Sequence, residues 1–97
     1  MIRGRREMLE KRIEKASVKA AEQRGWLSYK FSSPACRGVP DRIFIKNGRA
    51  VFIEYKREGG AYKVTALQEY THNKMREHGA EVHVCRSVED TIKALEE

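Results

Sequence analysis

Apolar residues recur at Leu9, Ile13, Ala16 and Ala20, the spacing of a helix over residues 5–24, and Gly25 supplies its C-terminal stop. Met1 to Arg5, ahead of that pattern, are expected to fray. The period then changes. Trp26 to Phe31 has the aromatic and apolar content of a strand, ended by Ser32-Ser33-Pro34. A basic loop over residues 35–40 leads into two apolar runs, about 42–46 and 50–56, on either side of Asn47-Gly48. Asn-Gly between alternating hydrophobics marks a hairpin, because both residues tolerate the positive φ of a type I′ turn. Arg57-Glu58-Gly59-Gly60 is expected to stay out of regular structure. Thr65 and Gln68 have capping-box spacing and open a helix that runs to about His78 and stops at Gly79. Glu81 to Cys85 reads as a short strand with Val82 and Val84 to one side. Ser87 caps a last helix over 88–96, whose inner face is expected to carry Val88, Ile92 and Leu95.

The predicted order, α-β-β-β-α-β-α, is that of an α/β domain: a mixed central sheet of about four strands flanked by helices, with residues 1–97 forming one domain. The link from third to fourth strand passes through a helix, so those strands are expected to be parallel with a right-handed crossover.

Composition narrows the partners. Lys and Arg outnumber Asp and Glu by 20 to 14, a net charge of +6. A basic balance suits a polyanion such as nucleic acid, where each neutralised phosphate releases counterions, although it also serves solubility alone. No apolar run approaches the length of a membrane span. Cys36 and Cys85 have no metal-ligand spacing and no disulfide framework, so two free thiols in a reducing cytoplasm are expected. His72, His78 and His83 form no ligand cluster; the first two fall on different faces of one predicted helix, and all three read as surface or core histidines.

The chemistry lies at the ends of the hairpin. Because a hairpin returns the chain to its starting end, Asp41, before the first of its strands, is brought near Glu54 and Lys56 in the second. Strand alternation puts Phe52, Glu54 and Lys56 on one face and Val51, Ile53 and Tyr55 on the other. A carboxylate in so apolar a run needs a partner. The bland account is a solvated Glu54–Lys56 pair. The sharper one is a site for a hard divalent cation, Mg²⁺ or Mn²⁺, which prefers carboxylate and water oxygens. Asp41 and Glu54 would supply carboxylates, the backbone carbonyl of Tyr55 a third oxygen, and Lys56 a cation to orient a water or stabilise charge on a phosphate.

Ile13-Glu14-Lys15, Arg37-Gly38-Val39-Pro40-Asp41, Phe52-Ile53-Glu54-Tyr55-Lys56, Leu67-Gln68 and Ser87-Val88-Glu89-Asp90, taken in order and spacing over nearly the whole chain, resemble the PD-(D/E)xK nuclease superfamily. The closer resemblance is to its VRR-Nuc branch, the domain of Fanconi-associated nuclease and of small stand-alone phage proteins. Tyr55 stands where many relatives carry Leu. The resemblance implies a restriction-endonuclease-like core and a metal-dependent endonuclease acting on DNA. By it, Asp41 and Glu54 match the metal ligands, Lys56 the catalytic lysine, and Glu14 the first-helix acid that completes the metal site. Glu10 lies on the same helix face one turn earlier, so the choice of Glu14 rests on family spacing. Gln68 matches a glutamine that reaches the active site, and it equally satisfies the capping box.

Arg37 and Arg57, flanking these motifs, and Lys63 are the expected phosphate contacts, and Lys30, Lys74 and Arg76 are further cations that could contact phosphates. The resemblance also suggests branched or Holliday-junction DNA, and cutting a two-fold junction symmetrically needs two sites, hence a homodimer. The competing readings are a flap or nicking nuclease, a DNA-binding module without turnover, and a nuclease of structured RNA.

Overall fold

The computed structural model describes residues 2–58 and 63–97, with side chains from residue 9 onward. In chain order the elements are α1 (Ile2–Gln23), β1 (Leu27–Lys30), β2 (Arg42–Lys46), β3 (Arg49–Tyr55), α2 (Ala66–Glu77), β4 (Glu81–Cys85) and α3 (Val88–Glu96). The expected order is met, and the mixed α/β sheet has four strands in the order β1-β2-β3-β4. The first three are antiparallel, and β3 and β4 are parallel through α2.

Local chemistry sets most boundaries. Asn47 and Gly48 take φ of 51° and 80°, as a two-residue type I′ turn demands. Thr65 caps α2 in a complete capping box with Gln68. Ser87 caps α3 by accepting from the amide of Asp90. After α1, the amides of Gly25 and Trp26 reach back to the carbonyls of Glu22 and Ala21, closing the helix end. At its other end α1 begins at Ile2, earlier than the expected start near residue 5. No capping residue or proline interrupts the arginine-rich first turns, and one Gly4 is tolerated. Gly59 and Gly60, expected outside regular structure, lie outside the described residues.

The core sits between one face of the sheet and helices α1 and α3. Phe44, Val51, Ile53, Tyr55 and Cys85 face these helices, joined by Trp26, Ala21, Ala94 and Leu95. The buried stripe of α1 differs from the expected one. It runs through Glu14, Ser17 and Ala21, while Ala16 is exposed and Ile13 and Ala20 are half-buried. Small side chains win here because α1 lies against α3. Ser17 Oγ accepts from Thr91 Oγ1 at 3.1 Å, and the Thr91 hydroxyl lies 3.0 Å from that of Tyr55. The inner face of α3 is correspondingly centred on Thr91, Ala94 and Leu95, with Val88 and Ile92 at its flanks. A bulky apolar residue at 17 would break the hydroxyl chain that satisfies the buried phenol.

On the other face, α2 packs over β4. Leu27 and Tyr29 of the edge strand β1 remain 48% and 57% exposed there.

Candidate active site

Register brings the acids together. Arg42 pairs with Ile53, so β3 runs two residues past the end of β2, and Asp41 falls opposite Glu54. The Tyr55 amide, beyond Arg42 at the start of β2, donates instead to Asp41 Oδ2 at 2.8 Å. The Asp41 carbonyl accepts from the Phe31 amide at 2.8 Å, tying the same residue to the end of β1. Asp41 is thereby fixed from both sides.

Glu54 faces α2 and is 3% exposed. Its Oε2 accepts from Gln68 Nε2 at 3.1 Å and lies 3.6 Å from Lys56 Nζ. Among the described residues its Oε1 has no hydrogen-bond partner, and neither has His72 Nε2, 3.9 Å away. With Lys56 also largely buried, this is no solvated surface pair. Burial, reinforced by the charge of Asp41 and opposed by Lys56, pushes the Glu54 carboxyl up to about 8. Burial likewise raises Asp41, against the pull of the Tyr55 amide, and the charge of Glu14 adds to the rise. Two carboxyls whose pKa values burial raises, one of them also raised by the charge of the other, form a site that favours added positive charge.

Gln68 serves two ends of one side chain. Its Oε1 accepts from the Thr65 amide at 3.0 Å, completing the cap, while its Nε2 holds Glu54. The next turn of α2 continues the work. Thr71 Oγ1 donates to the Arg37 carbonyl at 3.2 Å, and the buried His72 ring is hydrogen-bonded to the backbone of Gly38. Burial, with Arg76 and Lys56 nearby, lowers the pKa of His72. One row of α2, Gln68-Thr71-His72, therefore grips both Glu54 and the loop that leads to Asp41. His72 is a core histidine, one of the two expected readings. Its place beside Glu54 was missed, although it follows Gln68 by four residues, the spacing at which helical side chains point the same way.

Glu14 is buried on the α1 side of the sheet, where its Oε2 accepts from Lys30 Nζ at 3.0 Å and Arg42 Nε at 2.8 Å. It lines a cavity of about 220 Å³ with Glu10, Lys11, Lys30, Asp41 and Tyr55. Among the described residues no three of His, Cys, Asp and Glu come together closely enough to hold a metal ion. The structure thus brings Asp41, Glu54, Lys56 and Gln68 into one cluster and leaves Glu14 engaged with two cations at its border. Glu10 shares the cavity wall. Glu14→Ala should cost about 1–2 kcal/mol of stability, since it strands Arg42 and Lys30, of which Lys30 is mostly solvated. Glu10→Ala should change stability by under about 0.5 kcal/mol. Urea unfolding reads the difference.

Of the expected phosphate contacts, Arg37 and Lys63 are exposed. Arg57 is half-buried, and its carbonyl accepts from Arg86 Nη1 at 3.0 Å. Both cysteines are free thiols, Cys36 exposed and Cys85 buried. Among the described residues no helix is long and apolar enough to cross a membrane.

No family model matches the chain. Over 76 residues it is 40% identical to the protein named "Putative nuclease p44" of Acyrthosiphon pisum secondary endosymbiont phage 1, an alignment covering 77% of this chain and 80% of that one. A solved structure described as a VRR_NUC domain superposes with a TM-score of 0.79 and 28% identity, over 90% of this chain and 94% of the other.

Proposed function

The chain belongs to the VRR-Nuc family of nucleases, and on that premise we propose that it is a metal-dependent endonuclease hydrolysing DNA phosphodiester bonds with Asp41, Glu54, Lys56 and Gln68. One observation carries this reading: the strand register sets Asp41 beside Glu54, close enough for its charge to raise that carboxyl, and among the described residues the buried Glu54 keeps an oxygen without a hydrogen-bond partner. All-oxygen donors with raised pKa values suit Mg²⁺ or Mn²⁺, whose binding displaces protons from such groups. Asp41, Glu54 and the Tyr55 carbonyl would hold the ion. Glu14 completes the set only by giving up Lys30 and Arg42. When bound, the ion polarises the scissile phosphate and lowers the pKa of a water.

The chain's own groups do the rest. Gln68 fixes the Glu54 carboxylate by donating to Oε2. Lys56 presents its ammonium beside the same carboxylate, where it orients the attacking water or offsets charge that builds on the phosphate. Arg37, Arg57 and Lys63 contact phosphates that flank the cut. Lys56→Ala should fold and bind Mn²⁺ in a calorimetric titration while turnover falls by about 10²- to 10³-fold. Loss of the Mn²⁺ heat instead would make Lys56 part of the metal site.

Branched or Holliday-junction DNA is the proposed substrate. Base readout needs an element laid into a groove, whereas the helices here pack on the sheet and on each other. A two-fold junction calls for a homodimer, and the exposed Leu27 and Tyr29 are apolar surface that a second copy would cover. Free thiols and a DNA substrate suit work in the cytoplasm. The test is a panel of labelled four-way junctions, flaps, nicked and intact duplexes, single strands and structured RNA, incubated with Mn²⁺ or with EDTA. Cleavage of junctions in Mn²⁺ alone is expected. Products from flaps or RNA would redirect the substrate, and binding without cutting in any divalent metal would leave a binding module.

A further inference from the structure

We propose that the exposed face of α1 is a binding track for the phosphate backbone of nucleic acid, made by Arg12, Lys15 and Lys19 and leading away from the candidate site. These residues, with Ala16, Glu22 and Arg42, line a groove of about 510 Å³. Arg12, Lys15 and Lys19 are all exposed, and no hydrogen bond or ion pair engages them among the described residues. Of the four cations Arg42 is paired with Glu14, and the other three face one acid, Glu22, so the groove carries a local positive excess in a chain already at +6.

Position makes this more than a solvated helix face. Arg42 lines the groove and donates to Glu14, which lines the cavity shared with Asp41. Arg42 also follows Asp41 directly in sequence. The groove therefore begins where the candidate site ends. From Arg12 to Lys19 is about 10 Å along the helix axis. Along the axis of a duplex each strand carries a phosphate about every 3.4 Å, so the row spans about three such steps. The wall between the cationic heads is aliphatic, from Ala16 and the lysine stems, and would pass sugars without reading bases. Such contacts give register on the backbone and no sequence preference.

Only the identity of the polyanion rests on the nuclease reading; the groove stands on its own residues. The test is fluorescence anisotropy with a labelled duplex and a labelled four-way junction, in EDTA, from 50 to 300 mM KCl (about the range over which screening acts). The triple variant Arg12→Gln, Lys15→Gln, Lys19→Gln keeps helix-forming side chains at exposed positions and should fold as the parent does. Its log K against log salt slope should be shallower by about 2.7 on duplex, about 0.9 for each lost phosphate contact. A control, Lys93→Gln, removes exposed charge from α3 and should leave the slope within about 0.5 of the parent's. In Mn²⁺ the triple variant should raise KM with little change in kcat, the mark of lost uniform binding.

An unchanged slope in the triple variant, an equal fall per charge in the control, or parental binding to anionic vesicles and not to nucleic acid would each overturn the track. A parent chain that binds with the groove-dependent slope yet never cuts would leave the track standing and sink the nuclease reading. A parent that cuts while its slope ignores the groove would do the reverse.

Discussion

Glu54→Gln will abolish cleavage and at the same time make the metal-free protein more stable at alkaline pH. Cleavage should fall by at least about 10³-fold, because the substitution removes a charged donor from the proposed cation site and leaves a poor one. The stability effect has the opposite sign and follows from burial. The carboxyl titrates near 4.5 in the unfolded chain and at about 8 in the folded one. Between those values the native protein holds a proton that the unfolded chain has released. Wild-type stability therefore falls as pH rises through that window, by up to about 1.4 kcal/mol per pH unit, and is level above it. The amide has no proton to lose and keeps the shape of the neutral acid, so this part of the slope disappears. Asp41, raised in the same direction, contributes a smaller slope to both proteins. Thermal unfolding in EDTA at pH 5 and pH 8.5 reads the effect. Adding Mn²⁺ at pH 8 should stabilise the wild type and leave the variant nearly unmoved. Undiminished cutting by the variant would remove Glu54 from the site.

Gly38→Ala should cost about 2–4 kcal/mol and inactivate the protein, although residue 38 carries no chemistry of its own. Gly38 has φ of 89°, where a side chain is strained. A Cβ there would also lie 2.9 Å from the Leu67 carbonyl oxygen and from Thr71 Oγ1. The carbonyl belongs to the first turn of α2 and cannot yield without moving Gln68. The loop must back away, and it carries Pro40 and Asp41 with it. Gly48→Ala is the matched control. Its φ is 80°, but nothing lies within 4 Å of the new Cβ. It should cost about 1 kcal/mol and leave cleavage intact. Chemical denaturation compares the two losses of stability, and a DNA-cleavage time course compares their activities. Equal loss of activity in both would mean that turn strain, and not contact with α2, is what matters.

Much of the architecture was legible because it rests on local rules. The hairpin at Asn47-Gly48, the capping box of Thr65 and Gln68 and the cap at Ser87 stand where the pattern places them. The stripe of α1 was not legible. Helical periodicity ranks positions by apolarity, and it favoured Ala16 over Ser17. Burial at 17 is decided by the fit of a small hydroxyl against Thr91 and Tyr55, which come from distant parts of the chain. Glu14 shows the same limit. Its spacing names it as a candidate, but nothing in a linear pattern shows that Lys30 and Arg42 hold its carboxylate.

The amino-acid sequence by itself determined the element order, the pairing of the hairpin and, through strand alternation, that Glu54 shares a face with Lys56 away from Tyr55. Those depend on neighbours a few residues apart, where backbone period and turn chemistry suffice. Only the tertiary structure decided that α2 grips Glu54 and the Asp41 loop with one row of side chains, that one Glu54 oxygen has no hydrogen-bond partner among the described residues, and that the basic row of α1 adjoins the site. Each of these is a contact between segments far apart in the chain, and such contacts follow from how helices pack on a sheet, which no local pattern encodes.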